Sequence, residues 1–310
     1  MDFLAVAIGV YLLIEGGNWL MKAAVSLSLQ LSIPKIVIGM TVVSFATSAP
    51  ELIVSVQSAL AGYPDLALGN VVGSNIANLA FVLAITIMIA PINVTKSFYI
   101  SDWPMMILAT LLFVVFIFFD GELSRGEGIA LFVLLLLFLV YLFRFQKQAV
   151  IDEAPEDDEQ LPFHKTLGFL VLGGVGLWLG SEVLIGGAVA LAQQLGVSER
   201  IISVSVVSIG TSIPELSASI IAILNKEKAI SLGNLIGSNI FNILVVMGIT
   251  SMIVPIQVVD SGLLYNDMFW MLGISLLVLP LVFFPSGKSL ERYDGIILIV
   301  LYLLFLSTII

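Results

Sequence analysis

The sequence predicts an all-α membrane protein of ten transmembrane helices, arranged as two inverted five-helix repeats with broken core helices. Three observations carry that expectation. The 310 residues are 59% hydrophobic and 11% charged, with a mean hydropathy of +1.13, whereas soluble domains carry about 25% charged residues. The apolar residues run continuously, over lengths that can cross a bilayer as helix, rather than alternating as a membrane barrel requires. Lastly, ATSAPEL at 46–52 returns as GTSIPEL at 210–216.

Ten apolar runs are long enough to span: about 3–30, 35–60, 67–91, 103–119, 128–145, 166–193, 200–224, 230–255, 267–284 and 294–310. The first has no basic segment ahead of it and is too long for a cleaved signal, so it is expected to stay in the mature chain. The connection after the fifth contains DEAPEDDE at 152–159, six acids in eight residues, which reads as a solvated linker. It divides the chain into a first repeat at 1–146, an acidic cytoplasmic linker at 147–164 and a second repeat at 165–310. Lys and Arg set the orientation. With the N-terminus outside, Lys35, Lys96, Arg144, Lys147, Lys165, Lys226, Lys228, Lys288 and Arg292 fall on the cytoplasmic side, against Arg125 and Arg200 outside. Both termini are therefore expected to be extracellular, in the cell's inner membrane.

Residues 33–92 align with 197–256 without a gap at a constant offset of 164. LGNVVGSNIANLAFVLAI at 68–85 thus pairs with LGNLIGSNIFNILVVMGI at 232–249, and Gly16, Leu20, Ala24, Val25, Leu27 and Leu31 extend the match backwards. Five spans per half is an odd number, so the second half enters from the opposite side. Inverted halves around a midplane site are a recurring design of secondary transporters.

Glu51 and Glu215 lie deep in their spans, where a carboxylate is costly and faces the bundle interior or a water-filled path. A protonated glutamate tying two helices is the bland reading of one such residue; two symmetry-related ones among the same oxygen-rich neighbours favour a site. Pro50 and Pro214 free the carbonyls of Ala46 and Gly210, which makes the backbone near Thr47 and Thr211 a source of oxygen ligands. Asn70, Ser74 and Asn78 recur every four residues, as do Asn234, Ser238 and Asn242, so each set shares a helix face. Gly69/Gly73 and Gly233/Gly237 permit close helix approach. The inventory is hard oxygen throughout, and the chain has no cysteine. That suits calcium, which takes about 6–8 oxygens; sodium could use subsets of the same atoms. Two ionised glutamates leave the empty site at −2, which one calcium, two sodium ions or two protons would each cancel. Exchange of one cargo for another follows, with the counter-ion left open.

The duplicated TSxPE and GNxxGSNIxN motifs resemble the paired repeats of the cation/calcium antiporter superfamily, in particular its sodium/calcium exchanger branch. The likeness covers essentially all ten spans. It implies that Glu51 and Glu215 are shared calcium and sodium ligands and that Thr47 and Thr211 give backbone carbonyls to calcium. It further implies flanking sodium sites lined by Ser48, Ser74, Ser212 and Ser238 with the carbonyls of Ser44 and Ser208, and a centre completed by Asn78 and Asn242. Calcium and sodium would be transported substrates, with no organic cofactor and no nucleic-acid partner, in a chain that works as a monomer in the lipid bilayer. Ala46 stands where the family commonly has Gly. Asn242 stands where some relatives have Asp, which weakens potassium co-transport, and GNVVG and GNLIG lack the GNxxE acid of the proton/calcium branch. A proton/calcium exchanger is the first alternative and a cation channel the second. An intramembrane protease is a third reading with little support, since the only histidine, His164, is expected outside the spans and no paired aspartates face one another within them. Glu15, Asn18, Lys22, Glu182, His164, Asp120, Asp260 and Asp267 read as interface or solvated groups.

Overall fold

In the computed structural model, residues 2–145, 160–195, 210–285 and 287–309 are described. Their helices are α1 (Asp2–Leu31), α2 (Lys35–Leu60), α3 (Pro64–Ile89), α4 (Phe98–Asp120), α5 (Arg125–Phe145), α6 (Phe163–Gln194), α7 (Ile213–Leu224), α8 (Lys228–Ile253), α9 (Leu263–Phe283) and α10 (Arg292–Ile309). Nine are long and apolar enough to cross a membrane; α7, the described part of the expected seventh span, is the shorter one. The rest of that span, Arg200, and most of the linker with its acidic run lie outside the described residues. The expected boundaries hold to within a few residues, and the helices mostly begin earlier than the apolar runs because polar first turns still hydrogen-bond as helix. His164, placed in the linker by sequence, sits exposed in the first turn of α6.

Helix α8 is 83% buried over its most apolar window and α3 72%, whereas α1, α5, α6 and α10 are each 28% buried. The less buried helices expose leucine, isoleucine and phenylalanine; the more buried ones can carry polar residues that lipid would not tolerate.

The chain forms two compact units, each drawing on both sequence halves: Met1–Thr47 with Phe145–Asn234, and Ser48–Arg144 with Leu235–Ile310. The division falls inside α2 and α8.

In the first unit, α1 and α6 meet backbone to backbone. A Cβ on Gly16 would lie 2.7 Å from the Leu177 nitrogen, and one on Gly180 would lie 2.8 Å from that of Leu13. These glycines are mates at the 164-residue offset. The pair is also tied at both ends by one bond used twice: the Gln30 amide donates to Thr166 Oγ1 at 2.9 Å, and Gln194, its mate, donates to Asp2, the mate of Thr166. The same unit holds a buried ion pair, Lys35 Nζ to Glu227 Oε1 at 2.8 Å, with side chains 7% and 9% exposed. Removing one partner of such a pair costs about 3–5 kcal/mol, whereas removing both is near neutral. Lys35→Met should therefore lower the melting temperature of the detergent-solubilised protein sharply. Glu227→Gln added to it should restore most of the loss; additive losses would show that the pair is not coupled.

In the second unit, two short antiparallel ladders pair loops. Strand β1 (Ile92–Asn93) pairs with β4 (Ser289–Leu290), and β2 (Glu122–Leu123) with β3 (Ile256–Gln257). The loop between α3 and α4 thus meets the loop between α9 and α10, six spans later and so at the same membrane face. The mate of the first loop, between α8 and α9, meets the loop between α4 and α5 at the other face. Equivalent loops lying at opposite faces are what inverted halves require. Helix α5 opens with a capping box in which Ser124 Oγ and N both donate to Glu127 Oε2, at 2.7 and 2.8 Å. In the second half the backbone N–H of Glu291 donates to Asp294 Oδ2 at 2.7 Å.

Candidate cation-binding site

The two motif prolines have different structural outcomes. Pro214 lies in the first turn of α7, after a turn at Thr211 and Ser212, where its missing N–H costs nothing. The carbonyl it frees, that of Gly210, accepts a hydrogen bond from Ser181 Oγ of α6 at 3.2 Å. A Cβ on Gly210 would approach Ile185 Cδ1 to 2.6 Å, so alanine there would require only that this side chain turn aside. Pro50, by contrast, sits inside a continuous helix from Ser44 to Leu60. The mate of Ser181 is Gly17, which has no hydroxyl to offer. Among the described residues, the second repeat therefore starts a helix at its motif proline, after the turn at Thr211 and Ser212, while the first repeat passes its proline without interruption.

Both halves also depart from regular helix at the same residue. A π-helical segment runs from Asn78 to Val82 in α3 and another from Asn242 to Met247 in α8; a third, Gly39–Val43, precedes the α2 motif. Such segments inside α-helices often mark functional positions. Here the first residue of two of them is an expected ligand.

In the first unit, Ser44 and Thr47 are wholly buried, Ser212 is 1% exposed and Glu215 is wholly buried; Thr211 is partly buried. Glu215 occupies the first turn of α7, where the helix dipole favours a carboxylate. Ser44 Oγ donates to the carbonyls of Gly39 and Asn234, at 2.8 and 2.9 Å. Thr47 Oγ1 donates to the Ser44 carbonyl at 3.3 Å and to Asn234 Oδ1 at 3.2 Å. Asn234 in turn donates to Ser219 Oγ at 3.2 Å. Ser208 lies outside the described residues.

In the second unit, Ser48, Glu51, Ser74, Asn78, Ser238 and Asn242 are all buried, Glu51, Asn78, Ser238 and Asn242 completely. Asn70 repeats the role of its mate Asn234, donating to Ser55 Oγ at 3.0 Å and to the Glu51 carbonyl at 3.4 Å. Asn70 and Asn234 thus bind one helix to the next, which separates them from Asn78 and Asn242 despite the shared four-residue spacing. Among the described residues, Ser212 Oγ, Asn242 Oδ1 and both polar atoms of the Asn78 amide are buried without a hydrogen-bond partner. Such atoms are costly to leave alone; these belong to residues that sequence reasoning had selected as cation ligands, whereas Asn239 Oδ1, Thr250 Oγ1 and Asp294 Oδ1, buried in the same way, do not. The oxygens among them are of the type that calcium and sodium take.

Sequence reasoning overlooked Asn75 and Asn239. They are mates at the 164-residue offset, 1% exposed, and in the second unit. Each donates its amide to the other's backbone carbonyl: Asn75 Nδ2 to Asn239 O at 3.3 Å and Asn239 Nδ2 to Asn75 O at 3.1 Å. The signal was present in the repeated GSN of both halves. The small-residue pattern holds only in part: Gly233 packs directly on backbone, whereas Gly73 has open space beside it and Gly69 only an ordinary contact with Leu263.

The sodium/calcium exchanger protein family model matches residues 1–144 and 165–310. The putative antiporter CaxA of Alkalimonas amylolytica is 37% identical, over 97% of this chain and 98% of that protein. The sodium/calcium exchanger MaX1 of Methanosarcina acetivorans is 29% identical, over 99% and 97%. Among solved structures, the sodium-calcium exchanger NCX_Mj soaked with 2.5 mM Na+ and 10 mM Sr2+ aligns with a TM-score of 0.83 and 26% identity, covering 99% of each chain. With its duplicated motifs, buried acids and ten helical segments, the chain belongs to the sodium/calcium exchanger protein family and is a multi-pass membrane antiporter of the cation/calcium class, not an enzyme.

Proposed function

We propose that the chain exchanges calcium for sodium across the inner membrane by alternating access, using the sodium gradient. Glu51 and Glu215 are the shared ligands. Backbone carbonyls at Thr47 and Thr211 complete calcium, and Ser48, Ser74, Ser212 and Ser238 with the carbonyls of Ser44 and Ser208 hold sodium. Asn78 and Asn242 close the centre, and calcium and sodium are the only cargo. The observation that carries the reading is the complete burial of two symmetry-related carboxylates within membrane spans, since a buried −2 charge must be neutralised before the site can be enclosed. Sodium as the counter-ion is supported by the absence of the GNxxE acid and by the likeness to MaX1, whose name is that of a sodium/calcium exchanger. The repeats at 1–146 and 165–310 are the mechanical halves, the linker at 147–164 is cytoplasmic, and a monomer suffices.

The test is uptake into vesicles holding the purified protein. Sodium-loaded vesicles should accumulate external calcium, and collapsing the sodium gradient should stop it. Uptake that ignores sodium and follows a pH gradient instead would reassign the chain to proton/calcium exchange. Uncoupled single-channel currents would make it a channel.

A further inference from the structure

The symmetry of the site is broken at one hydrogen bond. Asn242 Nδ2 donates to Asn75 Oδ1 at 3.1 Å. The mate of that bond would run from Asn78 Nδ2 to Asn239 Oδ1, and it is not formed: both of those atoms are buried without a hydrogen-bond partner among the described residues. All four asparagines are in the second unit and are at most 1% exposed. The crossed bonds between Asn75 and Asn239 commit one N–H of each amide to the other's backbone, and Asn75 Nδ2 also donates to Met271 Sδ at 3.8 Å; with the nitrogens so placed, each presents its side-chain oxygen as a fixed acceptor. One acceptor is occupied and the other is open.

We propose that Asn75 and Asn239 are positioning residues that act alternately. In the state seen here Asn75 holds the Asn242 amide by its nitrogen and leaves Asn242 Oδ1 toward the cation; in the opposite access state Asn239 holds Asn78 in the same way and Asn75 lets go. This rests on the reading of Asn78 and Asn242 as ligands. The two access states of an inverted repeat exchange the conformations of the halves. A bond present in only one half must therefore pass to its mate when the transporter turns over. One such bond exists in each state, so the swap keeps the states close in energy while changing which asparagine is oriented for the ion.

The consequence is a pair of opposite effects that a merely structural role would not produce. Asn75→Ala removes the acceptor used only in the present state and Asn239→Ala the one used only in the mirrored state; each also removes one crossed bond to the other's carbonyl, a loss common to both states that leaves their balance unchanged. Each should shift the balance of inward-facing and outward-facing forms by about five-fold, the worth of about one buried neutral hydrogen bond, in opposite directions. Because apparent affinity scales with the fraction of competent conformer, the readout is the half-saturating calcium concentration at each face, measured by calcium–calcium exchange across vesicles of known orientation. The ratio between faces should move one way in Asn75→Ala, the other way in Asn239→Ala, and return toward wild type in the double variant. Shifts in the same direction, or no shift, overturn the proposal. Should the alanine variants fail to fold, Asn75→Ser and Asn239→Ser keep a donor for the neighbouring carbonyl and carry the same comparison. Calcium–calcium exchange needs no counter-ion, so a failed sodium dependence leaves this test intact. Unchanged calcium affinity in Asn78→Ala and Asn242→Ala would remove the ligand reading separately.

Discussion

Glu51→Gln and Glu215→Gln should each slow calcium exchange by about a hundred-fold or more. Glutamine matches glutamate in shape and keeps one carbonyl oxygen, so the change removes charge and a second acceptor while leaving packing in place. Losing one partner of a buried charge interaction costs about 3–5 kcal/mol, and about 1.4 kcal/mol is a factor of ten in affinity. The effect on the ion-free protein should have the opposite sign. Both side chains are fully buried, and a buried carboxylate without its cation is a liability, so each variant should melt at a higher temperature than wild type in calcium-free, sodium-free buffer. The gain should be larger for Glu51→Gln. Glu215 sits in the first turn of α7, where the helix terminus already stabilises its charge by roughly 0.3–1 kcal/mol, while Glu51 lies in the interior of α2. Exchange assays and ion-free melts on the same preparations check both signs. Normal exchange rates in both variants would sink the ligand assignment.

The large-scale features were legible because they are written in composition and repetition. A bilayer demands long apolar helices, so the spans stand out, and the ungapped offset of 164 exposes the duplication and its two acids. What stayed hidden depends on where one segment meets another. Pro50 and Pro214 occupy the same motif, yet only the second opens a helix, and Ser181 completes the difference from another span, 29 residues from Gly210 in sequence. The four-residue series of asparagines looked uniform. In three dimensions Asn70 and Asn234 are helix clamps, and Asn78 and Asn242 begin π-helical segments. Helix periodicity reports a common face but not what that face touches. Lys35 and Glu227 are 192 residues apart and have no symmetric counterpart pair, since the mate of Glu227 is Tyr63; no local pattern could join them. The compact units likewise cut across the sequence halves, because inverted repeats interleave and contact is not ordered by chain position.

The sharpest consequence of that interleaving is at two glycines the sequence treats as equivalent. Gly69 and Gly233 are mates, each opening a GN motif, and a substitution at either would be expected to act alike. Alanine at Gly233 would drive its Cβ into the Ile36 carbonyl oxygen of α2 and to within 3.1 Å of the Met40 nitrogen; from the other side, a Cβ on Gly39 would come to 2.5 Å from the Ile230 carbonyl oxygen. Backbone cannot swing aside as a side chain can, so α2 and α8 must separate within the first unit. Overpacking of this kind costs about 1–3 kcal/mol. It would also displace Asn234, the next residue, which accepts from Thr47 and Ser44. Gly233→Ala should therefore lower both the melting temperature and the exchange rate, and Gly39→Ala should do the same. At Gly69 an added Cβ meets only Leu263 Cδ2 at 3.6 Å, an ordinary contact, and alanine is better than glycine in a helix by about 0.8–1.0 kcal/mol. Gly69→Ala should consequently melt at or above the wild-type temperature. Opposite signs at the two positions are expected in thermal melts of the solubilised protein; equal losses would mean that the close approach of α2 and α8 does not distinguish the halves.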